Sequence, residues 1–138
     1  HDAAKEGDLD AIKRHLGNGT DVHLKNYNGV TPLRMAAGFG HKEICEFLID
    51  HGGIDHDGCL QIVIFNGNIE IADLLIKIGF DVNFQYNGKT ALDSALKIDY
   101  CDILAITEIE SHKLKNRYVE LLRKHGAKTT EELEAEQK

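Results

Sequence analysis

Glycines recur along this chain at a fixed interval. Gly7 and Gly40 lie 33 residues apart, and so do Gly19 and Gly52. A spacing held at one value in two registers marks a chain built from a repeated unit, and a period of this length belongs to stacked-repeat architectures. A single unit cannot bury its apolar face alone, so neighbours must stack to share a core. The 138 residues are the size of one domain.

Residues 25–53, KNYNGVTPLRMAAGFGHKEICEFLIDHGG, display the unit best. Tyr27-Asn28-Gly29 supplies a turn, since Asn and Gly tolerate positive φ. Thr31 suits the cap of a following helix and Pro32 its first position, where a missing N–H costs nothing. Leu33, Ala36 and Ala37 then share one face, with small residues that let a neighbour approach. Gly38-Phe39-Gly40 closes this inner helix. An outer helix follows, carrying Ile44, Phe47 and Leu48 at helical spacing, and Gly52 stops it.

A 33-residue period carrying T-P-L-x-x-A resembles the ankyrin-repeat family. The implied fold is mainly α: a solenoid of about four helix-turn-helix repeats, short β-hairpin or turn connections, and a C-terminal capping helix. Repeats are expected at about 1–24, 25–53, 54–80 and 81–128, followed by an acidic helical tail at 129–138. The first enters at Ala3-Ala4, turns at Gly7 and carries Ile12 and Leu16 on its outer helix. The third is shortened: Gly40 to Gly67 and Gly52 to Gly79 are each 27 residues, so six are missing between Gly52 and Leu60. The fourth repeats Tyr-Asn-Gly at Tyr86-Asn87-Gly88 and sets Thr90-Ala91-Leu92 where Thr31-Pro32-Leu33 stood. About fourteen residues are added within 99–117, since Gly79 to Gly126 is 47. There Ile103, Ile106 and Ile109 recur at three-residue spacing, which reads as extra helix packed on the last repeat, a cap in preference to a contact surface. Thr129-x-x-Glu132 is a capping-box start for the tail.

The formal charge is −7 and no Lys/Arg-rich run exists, which argues against nucleic acid as a partner. Apolar runs such as residues 59–65 are too short to span a membrane. No secretory signal opens the chain, and a start at His1 without methionine points to a processed or excised piece. Cys45, Cys59 and Cys101 form no C-x-x-C and leave one unpaired in any disulfide scheme, which fits a reducing, intracellular and cytoplasmic setting. Cys45 sits among apolar helix positions as a small buried hydrophobe.

The resemblance implies that a protein partner docks on a concave face of hairpin tips and inner helices. Carried over by position, the partner-binding residues are Lys25, Tyr27, Asn28, Val30, Phe39 and His51 from the second repeat. Phe65 and Asn66 come from the third, and Tyr86, Asn87, Lys89 and Lys97 from the fourth. Lys5, Glu6, Gly38, Ile78 and Ile98 extend the set. Tyr27, Phe39, Phe65 and Tyr86 stand out, because the chain has only nine aromatics and interfaces favour such side chains. The same aromatics could instead seal the repeats.

No phosphate-binding glycine loop, H-E-x-x-H or G-x-S-x-G occurs, so no enzymatic role, cofactor or metal is expected. His51, Asp55, His56, Asp57 and Cys59 cluster in sequence, but their spacing matches no familiar zinc or calcium motif. His41 sits where the family often has histidine and is assigned to hydrogen bonding between repeats. Leu75, Asp81, Val82 and Asn83 resemble a pattern recognised by an asparaginyl hydroxylase; the plainer reading has Asn83 bond its own turn. The resulting expectation is a monomeric, non-enzymatic interaction module. Its alternatives are a regulatory or anchoring segment of a larger enzyme, or a pathogen effector or immunity protein that inhibits one.

Overall fold

The computed structural model describes residues 1–56, 58–100, 104 and 106–138. It divides into two compact units, His1–Asp55 and His56–Lys138. That division falls beside the expected junction of the second and third repeats. Cys101 and Ile103 of the insertion, and Asp57 of the polar cluster, lie outside the described residues.

The first unit holds α1 (Asp2–Glu6), α2 (Leu9–Gly17), α3 (Pro32–Phe39) and α4 (Lys42–Asp50). Inner helix packs on inner helix (α1 on α3), each packs on its own outer helix, and α2 meets α4. The start of α3 follows from its sequence. Thr31 Oγ1 accepts the Arg34 N–H at 3.2 Å and donates to Asp55 at 2.7 Å, joining the helix to the chain that follows. Leu33, Ala36 and Ala37 are all but sealed from solvent. Gly40, at φ 82, ends the helix in the left-handed region where a side chain would be strained. One packing detail departs from expectation. Phe47 is half-buried, with the Lys13 ammonium 5.7 Å from its ring centroid, and Cys45 takes the sealed place between Ile44 and Leu48. Burial pushes the Cys45 thiol up to about 12, so it stays protonated and acts as the small hydrophobe expected. His41 donates its Nε2 proton to the Lys5 carbonyl at 2.8 Å, the inter-repeat bond expected of it. Its ring lies so close to Gly7 that a Cβ there would meet it at 2.8 Å.

The second unit holds α5 (Cys59–Phe65), α6 (Ile69–Lys77), α7 (Ala91–Lys97), α8 (Glu108–Lys124) and α9 (Thr130–Glu136). Inner helices α5 and α7 pack together, and α8 covers α7 and meets α6. Thr90 repeats the role of Thr31 with a full capping box, its partner being Asp93. In the shortened repeat the equivalent place falls to Gly58, which caps α5 at φ 71 with no side chain to contribute.

The insertion is built differently from the sequence expectation. Its added residues run into the outer helix itself: α8 begins after Thr107 and continues unbroken through Tyr118 to Lys124. Ile109 is 68% exposed and Ile106 precedes the cap, so neither of these two isoleucines marks the packed face of α8. Ser111, Tyr118 and Leu122 are the buried positions of α8, and Leu114 and Leu104 press against Gly67. Tyr100 and Tyr118 are both fully buried with ring centroids 5.9 Å apart. Their hydroxyls donate to Ile64 O at 2.7 Å and Val63 O at 3.4 Å. These carbonyls of the last turn of α5 already accept the Gly67 and Asn68 N–H groups, so each hydroxyl is a second donor. Burial pushes both phenols up, keeping them as neutral donors.

Asn83 also differs from the plainer expectation. Instead of serving its own turn, its side chain donates to Gly126 O at 3.1 Å and accepts the Lys128 N–H at 2.7 Å. It thereby ties the start of the fourth repeat to its end. The β-hairpins reduce, among the described residues, to a single antiparallel bridge between Tyr86 and Lys89.

The tail helix α9 buries no residue and is held by polar contacts. Asp93 Oδ2 accepts from Thr90 and from both the N–H and hydroxyl of Thr130. Arg123 pairs with Glu132 through two nitrogens at 2.9 and 3.0 Å. Burial alone would raise the Asp93 carboxyl, but the bonds from Thr130 and Thr90 outweigh it and leave the group at about 2. A depressed carboxylate stabilises above its unfolded value of 3.8 and loses that contribution as pH falls through about 2. Acid titration followed by amide exchange is therefore expected to free Thr130 between those values, while neutral pH leaves it protected. Asp93→Ala is expected to give the same exposure at neutral pH and to cost about 1–2 kcal/mol in urea melts.

Candidate partner-binding surface

The two Tyr-Asn-Gly tips, alike in sequence, fold differently. In the second repeat Asn26 governs the turn. Its Oδ1 accepts the N–H groups of Asn28 and Val30, each at 3.0 Å, and its carbonyl accepts the Gly29 N–H at 2.9 Å. In the fourth repeat the matching residue is Gln85, one methylene longer, and this arrangement is replaced. Asn87 takes φ 52 and Gly88 φ 70, a pair of left-handed residues that suits a two-residue hairpin. Among the described residues Asn87 is the one non-glycine at positive φ.

The tyrosines diverge accordingly. Tyr27 stands fully in solvent at 109% relative exposure. Tyr86 is half-buried, its ring lying where a Cβ on Gly58 would meet it at 2.7 Å. The lost hairpin residues put glycine where the second and fourth repeats have threonine, and Tyr86 fills the space.

The remaining candidates sort by element. Lys25 and Asn28 are exposed beside Tyr27, while Val30 is half-buried at the base of the turn. Phe39 is 54% exposed at the end of α3, with Lys5 Nζ 5.5 Å from its ring centroid. Glu6 is exposed on α1, and Gly38 is half-buried in α3. His51 sits apart from the tip. It caps α4, its Nδ1 donates to Phe47 O at 2.8 Å, and its ring lies 4.1 Å from that of Phe47. In the second unit Phe65 is 48% exposed as the last residue of α5, and Lys97 is exposed as the last of α7. Asn66 and Ile98 are half-buried at the ends of those helices, Asn87 and Lys89 are exposed on the tip, and Ile78 ends the outer helix α6. Leu24 and Leu96, absent from the sequence-derived set, are 51% and 40% exposed. A leucine carries no motif that separates an exposed place from a core one.

Among the described polar groups near the shortened turn, His56 is exposed and Asp55 half-buried. Asp55 accepts from Thr31, the His56 ring lies 4.5 Å from that of Phe80, and Cys59 is sealed in α5. Among the described residues no group of three or more His, Cys, Asp or Glu is placed to hold a metal ion. None of the described helices is long and apolar enough to cross a membrane.

Comparison with known proteins accords with this architecture. A family model described as ankyrin repeats (3 copies) matches residues 1–83. The chain belongs to the ankyrin-repeat family. It is 31% identical over 94 residues to an ankyrin repeat-containing protein of Schizosaccharomyces pombe, covering 65% of this chain and 42% of that one. A Caenorhabditis elegans homolog of transient receptor potential cation channel subfamily A member 1 is 33% identical over 122 residues, 84% of this chain and 10% of its own length. Protein phosphatase 1 regulatory subunit 12A of Mus musculus is 41% identical over 51 residues, 37% of this chain and 5% of its own. The chain thus spans less than half the length of each of these relatives. Ankyrin repeats generally mediate protein–protein interaction.

Proposed function

We propose that this chain binds a protein partner through its hairpin tips and inner-helix ends, and that it carries no catalytic activity of its own. The observation that carries this reading is the exposure of Tyr27 and Phe39 in the first unit. Tyr27 is fully exposed among the described residues, and an aromatic side chain held in water gains no packing energy for the fold. Aromatic anchors of this kind dominate binding when a partner desolvates them. Lys25 and Asn28 flank Tyr27, and Lys5 sits over Phe39. In the second unit Phe65, Asn87, Lys89 and Lys97 supply the comparable positions. Tyr86 and His51 contribute less, because each already has an intramolecular contact.

A second reading places the chain as a regulatory segment of a larger protein. It is favoured by the small share of the relatives' length that the match occupies and by one relative's being named a regulatory subunit. Both readings use the same surface.

The test immobilises the chain and a Tyr27→Ala/Phe39→Ala variant, and measures what each retains from a lysate of its source cells. The variant is expected to melt within about 0.5 kcal/mol of the parent, since neither side chain is part of the core. It is expected to retain its partner at least about tenfold more weakly, the loss of a typical anchor pair. A folded variant that retains the same protein undiminished overturns the assignment of this surface.

A further inference from the structure

Asn28-Gly29 and Asn87-Gly88 are the same dipeptide, both exposed at hairpin tips, yet their backbones are engaged differently. The Gly29 N–H donates to Asn26 O at 2.9 Å, and the Asn28 and Val30 N–H groups converge on Asn26 Oδ1. Across the other tip, Tyr86 and Lys89 bond each other through both backbone pairs. Between them the Gly88 N–H has no hydrogen bond among the described residues. The polar contact at Gly88 is at its carbonyl, 3.3 Å from Thr130 Oγ1, whose proton goes to Asp93. The nitrogen itself is left to water.

That nitrogen is the nucleophile in a reaction that Asn-Gly sequences undergo without an enzyme. We propose that Asn87 is a site of spontaneous deamidation in this protein, and that Asn28 is protected by its turn. The Gly88 amide nitrogen gives up its proton to solvent base and attacks Asn87 Cγ. A new C–N bond forms, the side-chain nitrogen takes up a proton from solvent, its bond to Cγ breaks, and ammonia leaves. The product is a five-membered succinimide between residues 87 and 88. Water then adds to one of the two ring carbonyls and the adjacent C–N bond opens, giving aspartate or, through the other carbonyl, isoaspartate. No oxidant or reductant takes part. Glycine matters because the missing Cβ leaves the attacking nitrogen open. At Gly29 the same attack requires the bond to Asn26 to be broken first.

The product sets a carboxylate two residues from Lys89, on a tip assigned above to the partner. That consequence rests on the binding reading, whereas the reaction does not. Deamidation would therefore change the charge of the surface with age.

The experiment incubates the intact chain at mildly alkaline pH and physiological temperature, and follows both sites by peptide mass spectrometry with isoaspartate detection. Asn87 is expected to react faster than Asn28 by about threefold to tenfold, the factor one backbone hydrogen bond is worth. In denaturant the two are expected to converge. Equal rates in the folded chain, a faster Asn28, or a difference that persists undiminished in denaturant each overturn the proposal. None of these outcomes bears on whether a partner binds.

Discussion

Tyr118→Ala is expected to lower stability by about 3–5 kcal/mol, the range for emptying a sealed aromatic site. The side chain is fully buried, stacks on Tyr100 and fixes the long outer helix α8 against the end of α5. Its removal opens a cavity beside a second large ring that cannot collapse into it. A domain has only about 5–15 kcal/mol in total, so the variant should be largely unfolded on modest warming. Urea melts measure the loss. Phenylalanine variants then separate packing from hydrogen bonding. Tyr100→Phe leaves Ile64 O without its 2.7 Å donor and is expected to cost about 1–2 kcal/mol. Tyr118→Phe gives up only a 3.4 Å contact and is expected to cost less than about 1 kcal/mol. If Tyr118→Phe is the worse of the two, the hydroxyl assignments are wrong.

Leu33→Ala is the second large effect, expected at about 2–5 kcal/mol. Leu33 is 1% exposed in α3, between the small residues that let neighbouring helices close in. Those alanines have no rotatable side chain with which to fill the void. Repeat proteins sum local stabilities and nearest-neighbour terms, so the loss should not be uniform. Amide exchange is expected to accelerate most in α1 to α4 and least in α8. Equal acceleration throughout would mean that the two compact units unfold as one.

The residues that punctuate the repeats are legible in the sequence alone. Thr31 and Thr90 cap their helices, Gly40 ends one in the left-handed region, and Thr129 opens a capping box. Each acts on backbone groups three or four residues away, so local sequence suffices. The insertion escapes such a reading for the converse reason. Ile106 and Ile109 have helical spacing, but which side of α8 meets α7 is set by Tyr118 and Leu122, residues already committed to the core. Extending that helix backwards by whole turns brings Ser111 inward and leaves Ile109 in water. Asn83 escapes it in the same way, its partners being 43 and 45 residues distant.

By itself the sequence determined the period, the caps and stops of the regular repeats and the family, because glycine, proline and capping threonine act through local backbone geometry. It could not determine which of two identical tips presents its tyrosine. That was decided by Asn26 against Gln85, where one methylene changes what the side chain can bond, and by the loss of the residue that would have filled the space at Gly58. Tertiary structure chose the exposed aromatics because exposure depends on what a neighbouring repeat leaves vacant, and no period records a vacancy.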